Sequence, residues 1–165
     1  MSGSPNTGPA PALTENANTG KFILPVYFNL ADITAVVMWG FIPTFKGRII
    51  ATTWNQGKAV TTGSKLATLT PSINGTNLTA ASGNGGEIAL TSALCVAQTS
   101  TAGRIAGTAI TGGNTFNGTT DYILLTASSV TAFAEGAGTF NFVLINDDTF
   151  NEMAHAQFGL RQVQA

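Results

Sequence analysis

Hydrophobic residues after position 20 recur in short runs whose spacing suits strands. In the run "GTFNFVLIND", Phe140, Phe142 and Leu144 fall on one face of an extended chain, and the residues between them fall on the other. Alternation of this kind predicts a β-strand with one side in the core. Similar short runs are "KFILPVYFNL", "ITAVVMWGFIP", "GRIIATTW", "LATLTPSI", "EIALTSALCVAQ", "RIAGTAI", "DYILLTAS" and "SVTAFAEG". In the first of these, Pro25 predicts an edge position or a bulge, because proline cannot donate to a neighbouring strand.

Turn residues separate these runs. Asn74–Gly75 is a two-residue hairpin signal, and segments 81–86 and 111–120 are rich in Gly, Asn and Thr. No ten-residue helical pattern lies between the strands, which argues against a parallel α/β sheet. The sequence therefore predicts an all-β fold over residues 21–165, an antiparallel β-sandwich of jelly-roll-like form with about eight strands.

Residues 1–20 differ from the rest, and we predict that they form an extended N-terminal arm. Pro5, Pro9 and Pro11 exclude a helix and favour extended or polyproline structure. Such a segment buries too little apolar area to become ordered alone, so we expect neighbouring chains to hold it. The alternative is an arm folded back on its own domain.

The C-terminal segment allows two interpretations. In "TFNEMAHAQF", Thr149 and Glu152 have the spacing of a helix capping box. Ala154, Ala156 and Phe158 also alternate with polar residues, as in a strand. The alternation favours an extended final segment.

Charged residues are scarce. Asp, Glu, Lys and Arg make up 9% of the chain, against roughly 25% in an average soluble protein. The closest cationic pair is Lys46 and Arg48, so the chain lacks the basic cluster of a nucleic-acid-binding protein or a polybasic membrane patch. No apolar stretch approaches the ~20 residues of a transmembrane helix. Since interface centres are depleted of charge, the composition indicates a component of a larger assembly.

The chain offers little material for metal binding or nucleophilic catalysis. It has one cysteine, Cys95, and one histidine, His155, too few for a zinc site built from these residue types. No G-x-S-x-G motif accompanies the histidine, so a hydrolytic triad is not indicated. We expect Cys95, within "ALCVA", to be a small buried hydrophobe and His155 to be a strand or surface residue. We expect no cofactor.

Two pairs of carboxylates are candidate functional groups. Asp147 and Asp148 are adjacent and could contribute to a Ca²⁺ site, but no calcium-loop motif surrounds them, so a turn after the strand is favoured. Asp121 and Glu135 could serve as a glycosidase pair, which is the enzymatic alternative. Two acids in an all-β chain are weak grounds for catalysis, and we expect the protein not to be an enzyme.

The two tryptophans have different predicted roles. We expect Trp39, within "VVMWGF", to lie in the core. Trp54 ends a predicted strand and precedes the turn residues "NQG", so it is more open than Trp39 to contact with a partner, although a structural role is favoured for it too.

Several sequence blocks occur together in a recognisable order. They are "GRIIATTWNQGKAVTTGSKLATLTPSINGTNLTAASGNGGEIALTSALC", then "AGTAITGGNTF", then "ASSVTAFAEGAGTFNFVLI", and together they span roughly residues 47–145. This arrangement resembles a family of small β-sandwich proteins that are encoded beside the major capsid protein of tailed phages. The family comprises capsid decoration (cement) proteins and head-fibre proteins, and no catalytic residue is carried over from it.

The resemblance implies a structural role in the virion. It implies a protein made in the host bacterial cytoplasm that binds the major capsid protein on the outer surface of an assembled head, as a homotrimer that bridges neighbouring capsomers. The arm would then be the capsid-binding segment, with Pro5, Pro9 and Pro11 reducing the entropy lost on docking and Leu13 serving as a large apolar anchor. The alternative is a head fibre or adhesin that presents "TAASGNGG" or the Trp54 region to a glycan on the host surface.

Overall fold

The computed structural model describes residues 20–99 and 102–148. The predicted arm contacts Pro5, Pro9, Pro11 and Leu13 lie outside these residues, as do His155 and the segment with two interpretations at the C-terminus.

Ten strands and one short 3₁₀ helix make up the regular structure of the described residues. The strands are β1 (Lys21–Asn29), β2 (Val37–Phe41), β3 (Gly47–Lys58), β4 (Leu66–Ile73), β5 (Thr76–Asn77), β6 (Ile88–Thr91), β7 (Arg104–Ala106), β8 (Thr115–Phe116), β9 (Ile123–Thr131) and β10 (Ala137–Asn146); the 3₁₀ helix, Leu30–Asp32, follows β1. The count exceeds the expected eight because β5 and β8 are two-residue strands, too short for any periodicity to signal.

The strands form two five-stranded antiparallel sheets. One has the order β1-β10-β3-β7, with β8 also paired to β3, and we call it the β10 sheet. The other has the order β2-β9-β4-β5, with β6 also paired to β4, and we call it the β9 sheet. The two sheets pack face to face, which confirms the prediction of an all-β antiparallel sandwich.

β10 occupies an interior position in its sheet, and its alternation is as predicted. Phe140, Phe142 and Leu144 are fully buried. The rings of Phe140 and Phe142 lie 4.8 Å apart between centroids in an edge-to-face arrangement, and Trp39 of β2 lies 5.5 Å from Phe142. These aromatic contacts connect the two sheets across the core.

β1 and the β4–β5 turn also follow their sequence signals. Pro25 lies in β1, which is an edge strand, and it is exposed, as is typical of a proline within a sheet. Asn74 and Gly75 both have positive φ angles, 52° and 80°, as the two central residues of a type I′ hairpin require. The Asn74 N–H also donates to the carbonyl oxygen of Tyr122 at 3.0 Å, which ties this turn to the segment before β9.

Candidate interaction surface

The outer face of the β10 sheet can be read from its pairing register, because residues directly opposite each other in an antiparallel ladder point to the same side. We define the β10 face by three rows of residues across β1, β10 and β3. The rows are Tyr27, Thr139 and Asn55; Pro25, Asn141 and Thr53; and Ile23, Val143 and Ala51. All nine are uncharged.

The side chains of the β10 face differ in exposure between β1 and β10. Ile23 and Tyr27, on the edge strand, are large and stand 61% and 65% exposed. Asn141 and Val143, on the neighbouring strand, are buried although they point outward. The Asn141 amide donates to the Thr53 hydroxyl at 3.3 Å, so its polarity is satisfied within the sheet. The exposed apolar area of the β10 face therefore lies on β1, while Asn141 and Val143 of β10 are shielded from solvent.

One polar atom of the β10 face lacks a hydrogen-bond partner. The side-chain oxygen of Asn55 is shielded from solvent and accepts no hydrogen bond in the described part of the chain. An acceptor in this condition carries an uncompensated desolvation cost of about 1–3 kcal/mol.

The β9 sheet is more neutral still. None of its five strands contains a charged residue. By register its outer face carries Thr68, Thr70 and Ser72 of β4 opposite Ser128, Thr126 and Leu124 of β9. Five of these six residues carry hydroxyl groups, and Thr70 and Ser72 are themselves buried.

The described acidic residues lie in loops and at chain turns, where they hold the chain together. Glu135 accepts hydrogen bonds from the backbone N–H of Thr61 at 2.8 Å and of Thr62 at 2.9 Å, and from both threonine hydroxyls. These donors, led by the Thr61 hydroxyl, lower the pKa of Glu135 from 4.5 to about 2. This carboxylate joins the β3–β4 loop to the β9–β10 loop.

Asp121 has a similar role at another loop. It accepts hydrogen bonds from the Asn74 amide at 2.6 Å and from the Asn117 backbone N–H at 2.7 Å. The Asn74 hydrogen bond, followed by that of Asn117, holds the pKa of Asp121 below its usual value. The carboxylate therefore fixes the β4–β5 turn against the segment before β9.

The geometry separates the two carboxylates of the enzymatic alternative. Asp121 precedes β9 and Glu135 follows it, and β9 contains nine residues. At about 3.3 Å per residue, the strand places them roughly 30 Å apart, whereas glycosidase carboxylates lie about 5–10 Å apart. Asp121 and Glu135 therefore do not form one catalytic pair.

Asp147 and Asp148 are engaged with the first turn of chain at the start of β3, which includes Lys46 just before the strand and Arg48 within it. Asp147 pairs with Arg48 at 3.5 Å, and Asp148 accepts the backbone N–H of Lys46 at 2.7 Å. Within residues 20–99 and 102–148, no three His, Cys, Asp or Glu side chains are grouped so that they could hold a metal ion. The sequence favoured a turn after the strand, whereas Asp147 and Asp148 are in helical conformation directly after β10.

Trp54 is a core residue, which agrees with the favoured structural role and rules it out as the possible partner contact in the folded chain. Its side chain is fully buried, and its indole N–H donates to the side-chain oxygen of the equally buried Gln56 at 2.6 Å. The sequence interpretation ended the strand at Trp54, but β3 continues to Lys58. Trp54 therefore lies inside the strand and points inward.

Trp39 and Cys95 are placed as expected. Trp39 is partly buried and packs against the core, with its ring 5.2 Å from that of Phe41. Cys95 is fully buried, and burial raises the pKa of its thiol to about 11. The thiol is therefore protonated and inaccessible in the folded protein.

Sequence reasoning missed the exposed residues of the β10 face, although a signal for them exists. In "KFILPVYFN", Ile23, Pro25 and Tyr27 alternate with Leu24, Val26 and Phe28. Both parities are apolar, so periodicity alone does not show which one faces the core. The pairing with β10 settles the question, since Val26 and Phe28 are buried.

Comparison with known proteins yields no relative. No family model, no curated protein and no solved structure matches the chain. Among the described residues, no helix has both the length and the apolar character needed to cross a bilayer.

Proposed function

We propose that this protein is a structural component of a phage virion, a capsid decoration protein. It binds the major capsid protein on the outer surface of the assembled head, bridges neighbouring capsomers as a homotrimer and stabilises the shell. The observation that carries this proposal is the distribution of charge on the described sandwich. The three rows that define the β10 face and the strands of the β9 sheet are uncharged, and the charged side chains lie at strand ends and in loops.

Neutral faces are suited to a protein whose surface is buried in contacts with other proteins. Removing an ionised side chain from water costs several kcal/mol unless a partner compensates it. Hydroxyl and apolar groups can be covered at far smaller cost, which is why interface centres are depleted of charge. The outer face of the β9 sheet and the β10 face both meet this requirement, since neither carries a charged side chain among the residues that define it.

The proposed activity is mechanical and follows from mass action. A ligand that binds the assembled shell and not the free subunits stabilises the shell by RT ln(1 + [L]/Kd) per site, about 2.7 kcal/mol when its concentration is 100 times Kd. Many equivalent sites on one shell multiply this modest term. The N-terminal arm adds contact area at neighbouring capsomers, and its prolines reduce the entropy lost on docking.

The test uses shells assembled from the major capsid protein of the same genome. We expect the purified protein to co-sediment with shells, not to bind unassembled capsid subunits, and to raise the temperature at which shells break apart. Deletion of residues 2–19 leaves Gly20, whose carbonyl oxygen accepts the N–H of Asn146, and we expect it to lower occupancy. Equal binding to free subunits, or the absence of binding to shells, would contradict the proposal.

A head fibre or adhesin is the competing function, and one loop favours it. The loop after β5 is exposed at residues 80–83, and in it the Thr79 and Ser82 side chains hydrogen bond to each other at 3.0 Å. A loop held in this way could present a defined surface to a glycan. Purified protein applied to host cells separates the two functions, since a decoration protein without other activity does not bind them.

A further inference from the structure

We propose that the β10 face is the part of the sandwich that docks on the shell, and that it meets a protein surface with a neutral centre and carboxylates around its rim. This inference rests on the proposed function and names the contact surface on both sides. The arm acts in addition to this face.

Two side chains on the edge strand provide the apolar anchors of the β10 face. Ile23 and Tyr27 lie on the same side of β1 with Pro25 between them, and both are more than half exposed. Tyrosine is enriched among the residues that dominate binding energy at protein interfaces. Proline in this position adds rigid apolar area without a backbone N–H that could recruit another strand.

Cations lie around the perimeter of the same face. Lys21 and Arg48 both pair with Ile145, in the row beyond Ile23, and Arg104 pairs with Asn55 at the far end of the Tyr27 row. Lys58 pairs with Ala137, one row further. Four of the six basic residues in the described part of the chain therefore surround the β10 face, and the strands of the β9 sheet carry none.

The chain does not supply matching carboxylates for these cations from its described residues, apart from the Arg48–Asp147 pair. Each of the six described acidic side chains already accepts a hydrogen bond or an ion pair within its own chain: Asp32, Glu87, Asp121, Glu135, Asp147 and Asp148. A partner surface that carries carboxylates would therefore complement the cations that the described residues leave without an ion pair.

The same charges argue against a second copy as the occupant. Two copies joined face to face by a twofold axis would bring their cationic rims together. A copy that offered the β9 sheet instead would leave Lys21, Lys58 and Arg104 without partners, since that sheet has no charged strand residue. An acid-rimmed surface of the shell satisfies both the centre and the perimeter.

The experiment measures the affinity and association rate of the full-length protein on assembled shells, with matched control variants. Tyr27→Ala is compared with Tyr122→Ala, and Ile23→Ala with Ile42→Ala, because both controls are exposed side chains of the same type outside the β10 face. We expect the Tyr27 and Ile23 variants to lose at least about tenfold in affinity and the controls to stay within about twofold of wild type. All four should keep the wild-type urea midpoint.

The charge requirement is tested with Lys21→Glu/Arg104→Glu against Lys65→Glu, which lies outside the face. Because rim charges act mainly on association, we expect the double variant to associate about tenfold more slowly and with weaker salt dependence, while Lys65→Glu behaves as wild type. If the wild type binds shells and the Tyr27→Ala and Ile23→Ala variants bind them with the same affinity, this inference is overturned and the proposed function stands. Dissociation of a homo-oligomer by Tyr27→Ala, with shell binding retained, would assign the face to a second copy and also overturn it. Failure of the wild type to bind shells would overturn the proposed function itself.

Discussion

Replacing Trp54 by phenylalanine should destabilise the fold and leave a correctly folded interaction surface unaltered. Trp54 is fully buried at the centre of β3, and its indole N–H satisfies the buried side-chain oxygen of Gln56. Phenylalanine keeps an aromatic ring in the core but removes the donor and part of the ring volume.

The magnitude follows from these two losses. An orphaned buried acceptor costs about 1–3 kcal/mol, and the lost apolar area costs about 1 kcal/mol more. Trp54→Phe should therefore lower the free energy of unfolding by about 2–4 kcal/mol, and Trp54→Ala by about 3–5 kcal/mol. Against a typical total of about 5–15 kcal/mol, the alanine variant is close to unfolding.

Urea denaturation measures the effect. With a denaturant slope of about 2 kcal/mol per molar urea, a loss of 3 kcal/mol moves the midpoint by about 1.5 M. A second variant isolates the hydrogen bond, because leucine at position 56 has no acceptor to satisfy. Trp54→Phe/Gln56→Leu should be more stable than the sum of the single effects predicts, by about 1 kcal/mol.

Two results would refute this reasoning. If Trp54→Phe kept the wild-type midpoint, the indole would not be the buried donor that the geometry indicates. If it lost shell binding at unchanged stability, Trp54 would be a partner contact after all. Tyr27→Ala is the control. Because its side chain is exposed, its replacement should change the free energy of unfolding by less than about 0.5 kcal/mol.

Three further predictions concern a loop, a thiol and a glycine. The folded-state pKa of Glu135, about 2, lies below its ordinary value of 4.5, so the stability that this carboxylate contributes is complete above pH 4.5 and is lost as the pH falls toward 2. Glu135→Gln should therefore show a smaller drop in urea midpoint between pH 5 and pH 3 than wild type. An equal drop in both proteins would contradict the role of Glu135 in stability. Cys95 should react with a thiol reagent only on unfolding, because it is buried and its pKa is about 11; rapid labelling of the native protein would disprove this. Gly138→Ala would place a methyl group in the Trp54 ring and should lower stability by about 1–3 kcal/mol or more, whereas an unchanged melting temperature would show that the ring can move aside.

The fold was predictable from the sequence because its strongest strands carry their own signals. The alternation around Phe142, the proline of an edge strand and the Asn74–Gly75 turn each act locally, and each is found as expected. The sheet order is not a local property. It joins β1 to β10 across more than 100 residues, and nothing in either strand specifies that partner.

The candidate surface was less predictable for the same reason. The sequence does not show that Trp54 lies inside β3, because the strand extends past the turn-like residues that follow Trp54. The hydrogen bond from Trp54 to Gln56 forms only inside the folded sandwich. The perimeter of the β10 face is assembled from strands distant in sequence, since Lys21 and Arg104 reach it from β1 and β7. A scan for basic clusters finds neither residue.

The positions of the charged residues explain why the chain has so few of them. A sandwich has two outer faces. If a partner covers one or both of them, ionised groups at their centres would have to lose their hydration at a large cost in free energy. The described carboxylates stabilise loops through hydrogen bonds, as Glu135 does with Thr61 and Thr62, and most cations are left at one perimeter. Charge then acts on orientation and association rate, while neutral side chains provide the contact area. A chain built this way needs few charged residues, because each of the two roles requires only a handful at fixed positions.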